Sequence, residues 1–131
     1  MNELLILLGL VAILIFLMLS IYQMLLVLNV DLGKPIPAYG GRYDELPRNV
    51  KMMSLVAIGI FIIASILILV RTGFITNFPF PDLAAIGILI FGLFLALNTL
   101  GNVTSKSQKE KMIMTPLSLI ACICCLLVAL L

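Results

Sequence analysis

Hydrophobic and polar positions along this chain fall into long blocks, with neither the two-residue nor the 3.6-residue alternation of a soluble fold. Four apolar stretches, at about 4–28, 52–70, 83–100 and 112–131, contain no Asp, Glu, Lys or Arg. Each approaches or exceeds the roughly 18–20 apolar residues that cross a ~30 Å hydrocarbon core. Backbone groups in lipid must bond within their own segment, so each stretch is expected to be a helix. A β-barrel would need alternation, and the runs are continuously apolar. The fold class expected is all-α: a polytopic membrane protein with four transmembrane helices forming one bundle across residues 1–131. The first stretch lacks a basic leader and a small-residue cleavage site after Leu28, so it reads as a retained span and not a signal peptide.

The connections carry the chain's polarity. The first, about 29–51, contains Pro35, Pro37, Gly40 and Gly41 and closes on Asp44-Glu45-Leu46-Pro47, which fits a helix beginning near Leu46. The second holds Phe78-Pro79-Phe80-Pro81-Asp82, suited to an interfacial turn. The third holds Ser107-Gln108-Lys109-Glu110, a capping-box pattern, and Pro116 beyond it is expected to kink the fourth helix. No internal repeat is found.

Lys and Arg placement gives an orientation. Lys34, Arg42, Arg48 and Lys51 lie in the first connection and Lys106, Lys109 and Lys111 in the third, against Arg71 alone in the second. The positive-inside bias puts the first and third connections in the cytoplasm and both termini outside it. The expected location is the plasma membrane.

Composition agrees. Hydrophobic residues make up 63% of the chain and charged residues 11%, with a mean hydropathy of +1.30. Soluble domains run near 45–50% and 25%. A net charge of +2 argues against a nucleic-acid-binding face. There is no His, the commonest general base and transition-metal ligand. No cofactor or metal site is expected, and no catalytic residue is assigned.

Candidate residues are therefore polar or small. Glu3 and Arg71 read as interfacial anchors. Gln23 and Asn98 lie at similar depth near the cytoplasmic ends of the first and third spans, where a hydrogen bond would act as packing glue worth ~0.6 kcal/mol. Gly87, Gly92 and Ala96 mark a helix-packing side of the third span. In the first loop, Lys34, Arg42, Arg48 and Lys51 are candidates for a partner or lipid headgroup, although Asp31, Asp44 and Glu45 nearly balance them. Asn102-Val103-Thr104 matches a glycosylation sequon that would go unused on the cytoplasmic side.

Cys122, Cys124 and Cys125 contain a C-x-x-C pair. Quinone-linked, disulfide-forming membrane enzymes are four-helix bundles with such a pair, but they use a second, loop-borne pair that this chain lacks. Small four-helix drug exporters depend on a carboxylate within a span, and none lies in these stretches. The cysteines read as polarizable packing residues. In size, hydropathy and loop style across its whole length, the chain resembles the small uncharacterised four-span membrane proteins common in bacteria; no diagnostic motif transfers a function. The reading that follows is a non-enzymatic accessory, regulatory or interaction subunit. Its partners would be the lipid bilayer and another membrane protein or a second copy, with no nucleic acid. The alternatives are a small transporter or oligomeric pore, and a thiol oxidoreductase using Cys122 and Cys125.

Overall fold

A computed structural model describes residues 3–131. Four long helices dominate it: α1 (Glu3–Val27), α2 (Arg48–Thr72), α3 (Pro81–Val103) and α4 (Thr115–Leu130). A short 3-10 turn, Tyr39–Gly41, interrupts the first connection, and a π-helical turn, Glu110–Met114, leads into α4. α2 and α3 extend their apolar stretches by two to four residues at each end because their polar flanks, such as Arg48-Asn49 and Arg71-Thr72, stay helical.

Local chemistry sets the ends. Gly73, at φ 93°, closes α2 in the left-handed conformation, with the Phe74 N–H on the Leu69 carbonyl at 3.0 Å. Pro81 occupies the start of α3, where its missing N–H costs nothing, and Asp82 follows in the first turn. α2 begins at Arg48, two residues beyond Leu46, with Pro47 as its N-cap residue. Pro116 lies within the helical run Glu110–Leu130, just after the π turn Glu110–Met114, the irregularity in that helix.

Helices α1, α2, α3 and α4 neighbour one another in that order around a ring that α4 closes against α1. The first and third connections meet at one end, where the Lys106 N–H donates to the Gly40 carbonyl at 3.0 Å. At the other end the Arg71 Nε–H donates to the Val128 carbonyl at 3.1 Å, a cation on the C-terminal turn of α4. All seven other basic residues belong to the first end, called the basic end below.

The middle of the bundle is aromatic. Phe16, Phe61 and Phe91, each near the midpoint of its helix, approach with ring centroids 5.6, 5.2 and 6.0 Å apart. The fourth helix brings small residues to the same buried cluster: Ala121, Cys122, Cys124 and Cys125. Three bulky rings from three helices require a slim fourth wall, which accounts for the cysteines by volume. Outside, Leu7, Leu14, Ile63, Ile90 and Leu97 are exposed. A soluble monomer does not show water such a continuous apolar surface; lipid is its solvent. α1, α2, α3 and the helix that the π turn and α4 make together, Glu110–Leu130, are each long and apolar enough to cross a membrane.

Small residues set the helix spacing. A Cβ on Gly92 would lie 2.9 Å from Leu126 Cδ2 of α4, and one on Gly87 would lie 2.8 Å from Leu67 Cδ1 of α2. The two glycines therefore serve different interfaces, and Ala96 is partly buried against the central core. The Gly92 carbonyl also accepts from the Cys122 thiol at 3.2 Å.

Candidate binding recess at the basic end

The first connection is an ordered lid. Leu26, Ala38, Leu46 and Val50 bury a second, smaller apolar core, with Tyr22, Ile36 and Tyr43 packed on it. The Ile36 N–H donates to the Tyr43 carbonyl at 2.7 Å, closing the loop on itself. Tyrosines from both sides tie it to the bundle. Tyr22 of α1 donates its hydroxyl to the Pro37 carbonyl. The Tyr39 hydroxyl pairs with the Ser54 hydroxyl of α2 at 2.5 Å and reaches Gln23 Oε1 at 3.4 Å. Burial lifts the Tyr39 phenol above its ordinary range, against the lowering effect of the Ser54 bond, so it remains a hydrogen-bond donor at neutral pH.

Gly40 ties this lid to the far end of the sequence. Its carbonyl accepts from Lys106, and its N–H donates to Glu110 Oε1 at 3.1 Å. Glu110 is only 3% exposed, and its Oε2 has no hydrogen-bond partner among the described residues. The capping box expected here is half formed. The Glu110 N–H does reach Ser107 Oγ at 3.4 Å. The reciprocal bond is missing, because the Ser107 N–H turns to Ser105 Oγ at 3.0 Å and the Glu110 carboxyl leaves for Gly40. The second glycine, Gly41, has φ 69°, and a Cβ there would sit 2.6 Å from the Ser107 backbone nitrogen. The two connections are therefore in backbone contact, a close approach that only glycine permits.

Beneath the lid lies a recess of about 530 Å³. It runs from Arg42, Lys106 and Glu110 at the polar end to Leu19 and Phe61 at the apolar end. Met53 of α2 and Asn98 and Gly101 of α3 line it and are exposed on the bundle surface, so the recess opens sideways between these helices. That pair makes the lightest contact of the four neighbouring pairs. The floor is the aromatic cluster, reached at Phe61.

Several candidates from the sequence meet here, and several do not. Arg42 lines the recess, joined by Lys106 from the third connection. Lys34 and Lys51 lie in a separate recess of about 540 Å³ together with Asp31, Asp44 and Glu45. Arg48 is exposed and lines neither of the two recesses. Folding thus sorts charges that balance along the sequence: the acidic residues go to one recess and Arg42 to the other. Gln23 and Asn98 both line the second recess, but the bond expected between them is not made. Gln23 turns to Tyr39, and Asn98 is exposed. The inter-helix polar bond is made one turn later, where Asn102 Nδ2–H donates to Ser118 Oγ at 2.7 Å, tying α3 to α4. That bond buries the sequon asparagine at 8% exposure. All three cysteines are free and buried.

Ser118 and Ser54 carry no signal in the sequence, and Asn102 reads there only as an unused sequon. Glu110 lies two residues before the fourth apolar stretch and reads as a helix cap. The usable signal was Gly40-Gly41, since adjacent glycines mark places where backbone approaches backbone.

Replacing Glu110 separates its hydrogen bond from its charge. Glu110→Gln keeps an acceptor for the Gly40 N–H and should unfold within about 1 kcal/mol of the parent in detergent. Glu110→Ala strands that N–H and should lose on the order of 1–3 kcal/mol. Equal losses for Gln and Ala in thermal unfolding would show that the charge, and not the Gly40 bond, holds the lid. No protein-family model, curated protein or solved structure matches the chain.

Proposed function

We propose that the chain is a non-enzymatic, multi-pass plasma-membrane protein that works by contact, as an accessory or regulatory subunit, with the basic-end recess as its binding surface. The observation that carries this reading is the Gly40 bridge. It holds the lid, the third connection and Glu110 in one arrangement above a recess whose polar groups converge. A concave, mostly pre-formed recess of this volume with a few convergent polar groups is the usual form of a binding site. The aromatic centre closes the route through a single bundle, which favours binding over conduction. The thiols of the oxidoreductase reading line a packed core, and Cys122 is engaged with Gly92. Native extraction of the membrane, followed by mass identification of what stays bound, tests the reading. The expected result is a bound species retained by the parent and released when the lid is unlocked. Substrate-dependent flux in proteoliposomes would replace this reading with a transporter.

The recess faces the cytoplasm in this reading, because the seven basic residues at its end resist translocation. Single-cysteine reporters in a background without the native cysteines test it. Asn77, in the second connection, and Gln108, in the third, are both exposed, whereas neighbouring Ser107 is buried and unsuited. A membrane-impermeant maleimide added to intact cells should label position 77 and spare position 108. Labelling of 108 alone would invert the orientation, and labelling of both would end the single four-span topology.

A further inference from the structure

We infer that the basic-end recess takes an anionic phospholipid from the cytoplasmic-side leaflet, the phosphate lying at Arg42 and Lys106 and an acyl chain entering between α2 and α3. This deepens the binding reading above and rests on it.

Three observations converge. The first is the shape of the opening. Met53, Asn98 and Gly101 are exposed and line the recess, so it faces the lipid as well as the aqueous side. A water-soluble ligand has no need of a lateral mouth in a membrane helix pair. The second is the gradient along the recess. Leu19 and Phe61 line its inner part, and Arg42, Lys106 and Tyr43 its outer part. An amphiphile with its head at interfacial depth matches that order. The third is uncommitted positive charge. Among the described residues, the Arg42 and Lys106 side chains enter no hydrogen bond or ion pair. By contrast, Lys109 donates to the Leu32 carbonyl at 3.2 Å, and Lys34 and Lys51 share their recess with three carboxylates. Glu110 sits in the same recess as Arg42, but its carboxyl is turned to Gly40 and nearly covered.

The positive pair comes from two connections far apart in sequence, brought to one recess by the Gly40 contacts with Lys106 and Glu110. Guanidinium and ammonium groups at the headgroup level favour a phosphate that carries net negative charge. Zwitterionic lipid offers the same phosphate with a covering cation and should bind less well. The 530 Å³ of space holds a headgroup and the first part of a chain, with the remainder lying along the α2–α3 surface.

The test uses the full chain purified in mild detergent, with phosphatidylglycerol, phosphatidylcholine or inorganic phosphate as probes. Native mass spectrometry and thermal unfolding are the readouts. Phosphatidylglycerol should bind one per chain, raise Tm and outcompete phosphatidylcholine. The double variant Arg42→Gln/Lys106→Gln should weaken that binding about tenfold or more. The equally charged control Lys34→Gln/Lys51→Gln should leave it unchanged. Met53→Trp, which fills the lateral mouth and keeps both charges, should also weaken phosphatidylglycerol binding.

Equal loss in both double variants would mean non-specific surface charge and overturn the proposal. Equal stabilisation by inorganic phosphate would overturn the lipid source. If Arg42→Gln/Lys106→Gln sheds a natively retained protein while lipid binding is unaltered, the lipid inference fails and the binding reading stands. If that variant sheds neither a protein nor a lipid, both fail.

Discussion

Replacing Gly41 with Ala should unlock the basic end of the bundle while leaving the four helices in place. The new Cβ would lie 2.6 Å from the Ser107 nitrogen and 3.1 Å from the Lys106 carbonyl carbon, both backbone atoms that cannot rotate away. The residue would also hold φ near 69°, which alanine resists. Strain and steric conflict together should cost on the order of 1–3 kcal/mol. The loss is local, because the central core lies a helix half-length away. Hydrogen exchange should show faster exchange at the Gly40 and Lys106 amides, with the α3–α4 interface protected as before. Gly101→Ala is the control. A Cβ there meets nothing within 4 Å, and the exchange should gain about 1 kcal/mol of helix propensity. Unchanged exchange at Gly40 in Gly41→Ala would show that the connections do not depend on this approach.

Gly92→Leu should damage the bundle itself. A Cβ alone would come within 2.9 Å of Leu126 Cδ2 and 3.4 Å of Cys125 Cβ, and leucine adds three further carbons. In membranes, helices associate through close packing and have no hydrophobic drive toward each other, so lost fit is lost stability. Separation of α3 from α4 would also stretch the Cys122–Gly92 and Asn102–Ser118 bonds. The expected loss is on the order of 1–3 kcal/mol, read as a lower Tm and earlier unfolding in denaturing detergent. Leu97→Ala, on the exposed face of the same helix, should change little. A parent-like Tm for Gly92→Leu would show that α4 yields to α3.

The helices were legible because lipid imposes one requirement on every residue of a span, and block hydropathy reports it directly. Helix ends were legible where Pro or Gly acts alone, as at Pro81 and Gly73. Pro116 was legible as a place where the fourth helix is irregular, but not as a π turn, which leaves no mark in the pattern of residues. The recess was much less legible. Arg42 was a candidate for a headgroup, but its partner Lys106 comes from another connection, and no pattern along the chain links the two. Glu110 was hidden for the opposite reason. A local explanation, the capping box, was available and half true, and the carboxyl took a long-range partner instead. The Gln23–Asn98 pairing failed because similar depth does not fix which way a side chain turns. Tyr39, from a loop, reached Gln23 first.

The Gly40–Glu110 bond joins residues 70 apart, with α2 and α3 between them. It forms only if both connections emerge on the same side of the membrane. A chain in which one hairpin enters upside down places donor and acceptor on opposite sides of a bilayer, and no local adjustment restores the contact. Synthesis also delivers Gly40 long before Glu110, so the lid must wait for the last helix before it settles. The bond thereby acts as a molecular receipt for correct insertion. A half-inserted chain presents a loose first loop that proteases and chaperones on its side of the membrane can reach, while the finished protein has it folded away.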